Sequence, residues 1–183
     1  RIKIPGIHNL QNVLAASCAA YLAGAREQHI EKAITTFSGL KHRLEFVREV
    51  NGVRYYNDSK ATTPESSIAA ITAFQAPVIL IAGGYDKGSS FEEFAGVCAQ
   101  HTKAVVLIGK TAGKIKELIL KKKGSGEIPS IFMLKTFEEA FRQANALAKA
   151  GDVILLSPAC ASYDMFLNYE ERGRKFKDMV KVL

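Results

Sequence analysis

Val78-Ile79-Leu80-Ile81-Ala82-Gly83-Gly84-Tyr85-Asp86-Lys87-Gly88 is an unbroken apolar run that ends in a glycine pair and a polar loop carrying a lysine. A strand that is apolar at every position has no face for water, so it must be covered on both sides, as in a parallel sheet within an α/β fold. Working outward, runs of the same kind occupy residues 104–108, 130–133 and 153–156. Between and around them, amphipathic stretches at 64–74, 91–100, 111–122, 137–149 and 170–182 have helical spacing. Strands alternating with helices predict a parallel sheet with helices on both faces. Upstream, 44–50 and 53–57 are short β-type runs around Asn51-Gly52, a strong local signal for a hairpin. Residues 8–34 are rich in Ala, Leu and Ile and predict helix with a break near Gly24; 37–43 mix a turn with basic residues, as a domain junction does.

The whole-chain numbers narrow the class. The 183 residues are 48% hydrophobic and 23% charged, which excludes a disordered, collagen-like or coiled-coil chain. Lys and Arg number 25 against 18 Asp and Glu, a formal net charge of +7 that favours phosphate- or carboxylate-bearing partners. Three widely spaced cysteines without a CxxC pair speak against a disulfide framework or a zinc site, and for a reducing, cytoplasmic setting. No apolar run is long enough to span a membrane. The Lys121-Lys122-Lys123 run before Gly124-Ser125-Gly126 is expected to be a charged helix end and solvated loop, not a nucleic-acid patch. The start, Arg-Ile-Lys-Ile-Pro-Gly, has neither an initiator Met nor a signal-peptide pattern, and is expected to be the middle of a longer chain.

In an open α/β sheet, ligands bind beyond the carboxyl ends of the strands. The loops to weigh are therefore 57–64, 83–90, 109–111 and 157–164. In the first, Thr63-Pro64 is a good N-cap and N1 pair. The helix end behind it offers N–H groups to an anion, with Asp58, Lys60 and Thr62 just in front; a plain polar turn with a capping threonine has the same composition. Gly83-Gly84 allows close backbone approach, and Lys87 is placed to meet an anion, although the loop lacks GxGxxG spacing. Gly109-Lys110-Thr111 imitates the end of a Walker A motif, but Ala104 stands where its first glycine belongs, so no P-loop is expected. After the last strand, Ser162 either donates to a carboxylate or caps the next helix. Cys160 has no histidine near it in sequence and is expected to be a buried thiol, not a nucleophile. Near the start, Asn9 and Asn12 lie three residues apart on one helix face, where paired amides can read the edge of a purine; N-capping by Asn9 is the plainer alternative. His42-Arg43 either binds phosphate or ribose or forms a solvated hinge.

Four segments, in order, carry a family resemblance: Gly6-Ile7-His8-Asn9 with Asn12, Gly39-Leu40-Lys41-His42-Arg43-Leu44-Glu45, Asn57-Asp58-Ser59-Lys60-Ala61-Thr62, and Leu156-Ser157-Pro158-Ala159-Cys160-Ala161-Ser162. Over essentially the whole chain they resemble the C-terminal portion of the Mur ligases, and the Asp-Ser-Lys-Ala-Thr and Ser-Pro-Ala-Cys-Ala-Ser elements favour the D-glutamate-adding members. The resemblance implies an α/β, Rossmann-like, mostly parallel sheet with helices on both faces (37–183), preceded by the helical tail of a central ATPase domain (1–36). It implies a cytoplasmic ligase of peptidoglycan synthesis, expected to be a monomer with no nucleic-acid or membrane partner. In the reaction that the resemblance implies, ATP, assisted by magnesium, phosphorylates UDP-MurNAc-L-alanine, and the amine of D-glutamate attacks the acyl phosphate. By the same resemblance, Asn9 and Asn12 lie on the adenine side, with Arg43 and Asp58 near the phosphates or ribose. Lys60 and Arg43 are the implied catalytic cations. Lys60, Thr62 and Lys87 hold D-glutamate, and Ser162 with the region near Tyr169, where Phe is usual, takes its other carboxylate. The Walker A loop and most magnesium ligands are expected upstream of Arg1, so this stretch alone is expected not to turn over. Two other readings stay open: a stand-alone Rossmann-like module that binds an anion and regulates a partner, and a different ligase of the superfamily, such as a folylpolyglutamate-type enzyme.

Overall fold

The computed structural model describes residues 2–122 and 129–183. Lys123 and Gly124-Ser125-Gly126, expected to belong to a charged helix end and solvated loop, lie outside the described residues. Helices α1 (Ile7–Leu22) and α2 (Glu27–Thr36) come first, separated at Gly24, whose left-handed φ of 88° breaks the run. The hairpin β1 (Glu45–Val50) and β2 (Val53–Asn57) follows. Asn51 and Gly52 both have positive φ, 51° and 77°, as a two-residue type I′ turn requires. Then come α3 (Pro64–Ile71), β3 (Val78–Gly83), α4 (Glu92–His101), β4 (Thr102–Ile108), α5 (Ala112–Lys121), β5 (Ser130–Met133), α6 (Phe137–Leu147), β6 (Val153–Leu156) and α7 (Tyr169–Lys181).

The six described strands form one sheet in the order β1-β2-β6-β3-β4-β5, antiparallel between β1 and β2 and parallel elsewhere. Successive side chains of a strand point to opposite faces, and β3 divides accordingly. Val78, Leu80 and Ala82 join Ile71, Phe94, Cys98, Ile115 and Ile119 from α3, α4 and α5. Ile79 and Ile81 join Phe137, Phe141, Phe176 and Val180 from α6 and α7. The apolar run at 78–82 is thus covered on both sides, which is the physical content of the α/β expectation.

Two helices stop earlier than their spacing predicts. At the end of α3, Ala73 and Phe74 N–H groups bond to Ala70 and Ile71 carbonyls, tightening the last turn, and the Thr72 hydroxyl bonds back to Ile68. At the end of α6, the Asp152 carboxylate accepts from Lys149 N–H at 2.8 Å and draws the chain out of the helix toward β6.

Candidate functional site

Strands β2, β6, β3 and β4 are parallel neighbours, so their following loops emerge at one end of the sheet. Backbone bonds sew these loops together. Gly83 N–H donates to Pro158 O and Tyr85 N–H to Ala161 O, both at 2.9 Å. Gly84 N–H donates to Thr111 Oγ1 at 3.0 Å, and Lys110 N–H to Asp164 Oδ2 at 3.2 Å. The close approach that Gly83 and Gly84 permit is therefore to neighbouring loops: a Cβ on Gly83 would strike the Ile108 carbonyl, and one on Gly84 the Ala161 carbonyl. The Thr111 hydroxyl that imitates a Walker threonine is occupied by the Gly84 N–H, in keeping with the missing first glycine.

Beneath these loops lies a charged group that the sequence reading did not single out. Arg172, on α7, is 2% exposed. Its guanidinium donates to Ser59 Oγ and Ser59 O, each at 3.0 Å, and to Cys160 O at 3.1 Å. One side chain thus ties the loop after β2 to the loop after β6. Burial pushes its pKa down to about 10, well above neutrality, so it remains a cation. Beside it, Asn57 Nδ2 meets His42 Nδ1 at 3.0 Å and Glu45 Oε2 at 3.1 Å, while Glu45 also takes Lys177 Nζ at 2.8 Å. His42 is buried, with a left-handed φ of 64°, and so is not a solvated hinge residue. Gly173 is needed here because a Cβ would collide with the His42 ring.

Two adjoining cavities hold several of the residues selected from sequence. The larger, about 500 Å³, lies between α1, α2 and the 37–43 segment; Asn9, Asn12, Val13, Gly39, Leu40 and Arg43 are among its lining residues. Asn9 does not cap α1, whose N-cap is Gly6; its amide donates to Pro5 O at 2.6 Å from within the first turn. The second cavity, about 220 Å³, shares Arg43 with the first and adds His8, Asp58, Lys60 and Ser66. Burial, and after it the charge of Arg43, hold the His8 imidazole below its usual pKa. Thr63 occupies the N-cap position of α3, but its hydroxyl pairs with Ser66 Oγ and caps no backbone N–H.

Thr62, Lys87, Ser162 and Tyr169 line neither cavity. Thr62 is half-buried, and its N–H donates to Lys60 O at 2.9 Å. Lys87 is exposed, with Nζ 5.4 Å from the centroid of the Tyr163 ring. Ser162 is buried, and its carbonyl accepts from Met165 and Phe166 N–H; the cap of α7 is Asn168, not Ser162. Tyr169 sets its ring edge-on to His42 and accepts the Ser59 hydroxyl on its carbonyl at 2.8 Å. Burial pushes the Cys160 thiol up to about 11, which rules out a thiolate nucleophile at neutral pH.

Asp58 is the titratable group whose environment bears most on the second cavity. Its Oδ1 accepts Leu44 N–H at 3.0 Å and its Oδ2 accepts Ser157 Oγ at 2.7 Å, while Ser157 Oγ also meets Ser67 Oγ at 2.9 Å. Desolvation outweighs these bonds and the nearby Arg43, raising its pKa from 3.8 to about 6. Between those values the folded state holds a proton that the unfolded state has lost, so this group's contribution to stability is full below pH 3.8 and disappears as pH rises through about 6. Asp58→Asn mimics the protonated form, and its amide can donate to Ser157 Oγ, which then donates onward to Ser67. The substitution is expected to stabilise the fold by about 1–2 kcal/mol at pH 8 and by nothing measurable near pH 4. Urea unfolding at the two pH values measures the difference; equal effects at both would contradict the burial cost assigned to this carboxylate.

The chain, whose mostly parallel α/β sheet follows a helix pair, matches the family of the Mur ligase glutamate ligase domain over residues 42–160 and belongs to this family. Its relatives make the likeness more particular. The UDP-N-acetylmuramoylalanine--D-glutamate ligase of Caldanaerobacter subterraneus subsp. tengcongensis is 52% identical over 179 residues, covering 98% of this chain and 39% of the relative. The enzyme of the same name from Thermoanaerobacter sp. (strain X514) is 53% identical over 182 residues, covering 100% of this chain and 40% of the relative. Among solved structures, the UDP-N-acetylmuramate-alanine ligase of Thermotoga maritima superposes with a TM-score of 0.73 at 17% identity, over 99% of this chain and 39% of that one, which shows the shared fold. The chain spans about two-fifths of the length of the curated relatives it matches.

Proposed function

We infer that the chain is the acceptor-side, C-terminal portion of a ligase that joins D-glutamate to UDP-MurNAc-L-alanine, with ATP supplying the driving force. The observation that carries this reading is the identity of 52–53% to relatives named as D-glutamate ligases, extending over nearly every residue of the chain. On this reading residues 1–36 belong to a central ATPase domain and 37–183 to the domain that receives the amino acid. The work is assigned to the cytoplasm, with a monomeric protein; among the described residues, no helix is long and apolar enough to cross a membrane.

The chemistry asks three things of these residues. An adenine needs an apolar slot with amide groups at its edge, and the larger cavity offers Val13, Leu40, Asn9 and Asn12. The phosphates and the acyl phosphate need cations, and Arg43 and Lys60 share the adjoining cavity with Asp58. The acceptor amino acid carries two carboxylates; Lys60, Lys87, Thr62 and Ser162, with the Tyr169 region, are assigned to them on loops joined by Arg172 and by the Tyr85–Ala161 bridge. Charge-assisted bonds of this kind contribute about 1.5–3 kcal/mol each, enough to orient the amine for attack. The γ-phosphoryl group of ATP passes to the L-alanine carboxylate, releasing ADP; the D-glutamate nitrogen then bonds to the acyl carbon, phosphate departs, and the amine loses a proton. Magnesium, when bound, supplies charge neutralisation for the phosphates. Its ligands are assigned mostly upstream of this chain.

The test is a phosphate-release assay on the full-length protein with UDP-MurNAc-L-alanine, ATP and magnesium, offering D-glutamate, L-glutamate or meso-diaminopimelate in turn. Turnover with D-glutamate alone is the expected result, and a preference for either other acceptor would overturn the reading. ADP release by residues 1–183 alone would overturn the division of labour proposed here.

A further inference from the structure

We propose that Tyr163 is a positioning residue for Lys87, holding its ammonium where it meets a carboxylate of the acceptor amino acid; this rests on the acceptor role assigned to Lys87 above. The backbone of Lys87 is fixed on one side. Asp86 Oδ1 accepts Gly88 N–H at 2.8 Å and Ser89 N–H at 3.1 Å, and Asp86 Oδ2 is held by Lys114 Nζ from α5 at 2.9 Å. The head of the side chain has a different anchor. Lys87 Nζ stands 5.4 Å from the centroid of the Tyr163 ring, within cation–π range, and among the described residues it has no ion-pair partner.

The ring is itself set in place by the loop junction. Tyr163 packs edge-to-face against Tyr85 with centroids 6.4 Å apart, and the Tyr85 backbone bridges to Ala161, two residues before Tyr163. Lys110 lies 5.7 Å over the other ring of the pair, so two lysines flank a tyrosine pair across the loops after β3, β4 and β6. A free lysine side chain has many rotamers to lose when it binds an anion. A ring that attracts the ammonium without neutralising it removes part of that loss and leaves the charge available, whereas a carboxylate partner would compete with the substrate.

In the full-length enzyme, Tyr163→Leu is expected to raise KM for D-glutamate by about two- to fivefold, the value of one partly exposed cation–π contact. The kcat and the KM for ATP stay at their original values, and Tyr163→Phe, which keeps the ring face, restores KM for D-glutamate. In a Lys87→Ala background the leucine substitution is expected to add nothing. An independent readout is the NMR shift of the Lys87 ε-methylene protons in residues 1–183, moved upfield by the ring, lost in Tyr163→Leu and kept in Tyr163→Phe. Unchanged KM in Tyr163→Leu beside an impaired Lys87→Ala overturns the inference alone, as does an equal effect of Tyr163→Leu with and without Lys87. Unchanged KM in Lys87→Ala overturns the acceptor role of Lys87, and the role of Tyr163 with it.

Discussion

Lys60→Ala is expected to lower kcat/KM for ligation by about 10²–10³-fold, the usual cost of losing one fixed electrostatic contact to charge that develops in the transition state. The side chain is exposed, and among the described residues it makes no ion pair, so the fold has little use for its charge. Its backbone, in contrast, is tightly held. The N–H donates to His42 O at 3.0 Å, the carbonyl accepts Thr62 N–H at 2.9 Å, and Ala61 N–H closes the turn on Asp58 O at 2.9 Å. On the proposed reading, a cation whose backbone is fixed and which lines a cavity shared with Arg43 and His8 serves a ligand anion. Stability should stay within about 0.5 kcal/mol of the original protein, as for exposed side chains generally. Thr62→Ala, which keeps the backbone bond to Lys60 O and removes only the hydroxyl assigned to the acceptor carboxylate, should also lose turnover. Steady-state kinetics of the full-length protein, paired with thermal unfolding, separate loss of function from loss of fold. Near-normal D-glutamate kinetics in both variants would remove this loop from the site.

What the sequence could reveal depended on whether the cause was local. The buried run Val78–Ala82, the Asn51-Gly52 turn and the helical period of α4 to α7 each follow from neighbours in the chain, and the structure has them within two residues of the expected bounds. Loop identities followed too, because strand ends are local events. The purpose of Gly83 and Gly84 was less legible: they clear space for Ile108 and Ala161, carbonyls distant in sequence. Arg172 was harder to pick out. In Tyr169-Glu170-Glu171-Arg172-Gly173-Arg174-Lys175 the charge alone does not separate buried Arg172 from exposed Arg174, but the helical period does, since Arg172 stands four and eight residues before Phe176 and Val180 on one face. A glycine inside an otherwise amphipathic helix was a second clue, since Gly173 marks the side on which α7 comes closest to His42. The +7 charge likewise gains meaning only in space, with Arg43 and Lys60 meeting at one cavity while Lys103, Lys114 and Lys177 are spent in ion pairs.

Arg172→Met should destabilise the protein by about 2–4 kcal/mol, a drop in Tm of roughly 5–15 °C for a chain of this size. The substitution removes three charge-assisted hydrogen bonds, to Ser59 Oγ, Ser59 O and Cys160 O. Against this stands the relief of burying a guanidinium, the same cost that pushes its pKa down to about 10. Buried ion pairs replaced whole by apolar groups are often neutral for that reason. Here the balance falls the other way, because two of the three acceptors are backbone carbonyls that no side-chain substitution removes. They would stay buried without their donor, and an orphaned buried group costs about 1–3 kcal/mol. Arg172→Lys should recover little, since a single ammonium cannot reproduce the planar fork that spans Ser59 and Cys160. Activity should fall further than stability requires, measured well below the new Tm, because the tie between the Lys60 loop and the Ser162 loop has gone. Unfolding within about 0.5 kcal/mol of the original protein would show instead that water or rearrangement satisfies those carbonyls, and that the two loops are held by the Asp58–Leu156 and Ser157–Asp58 bonds.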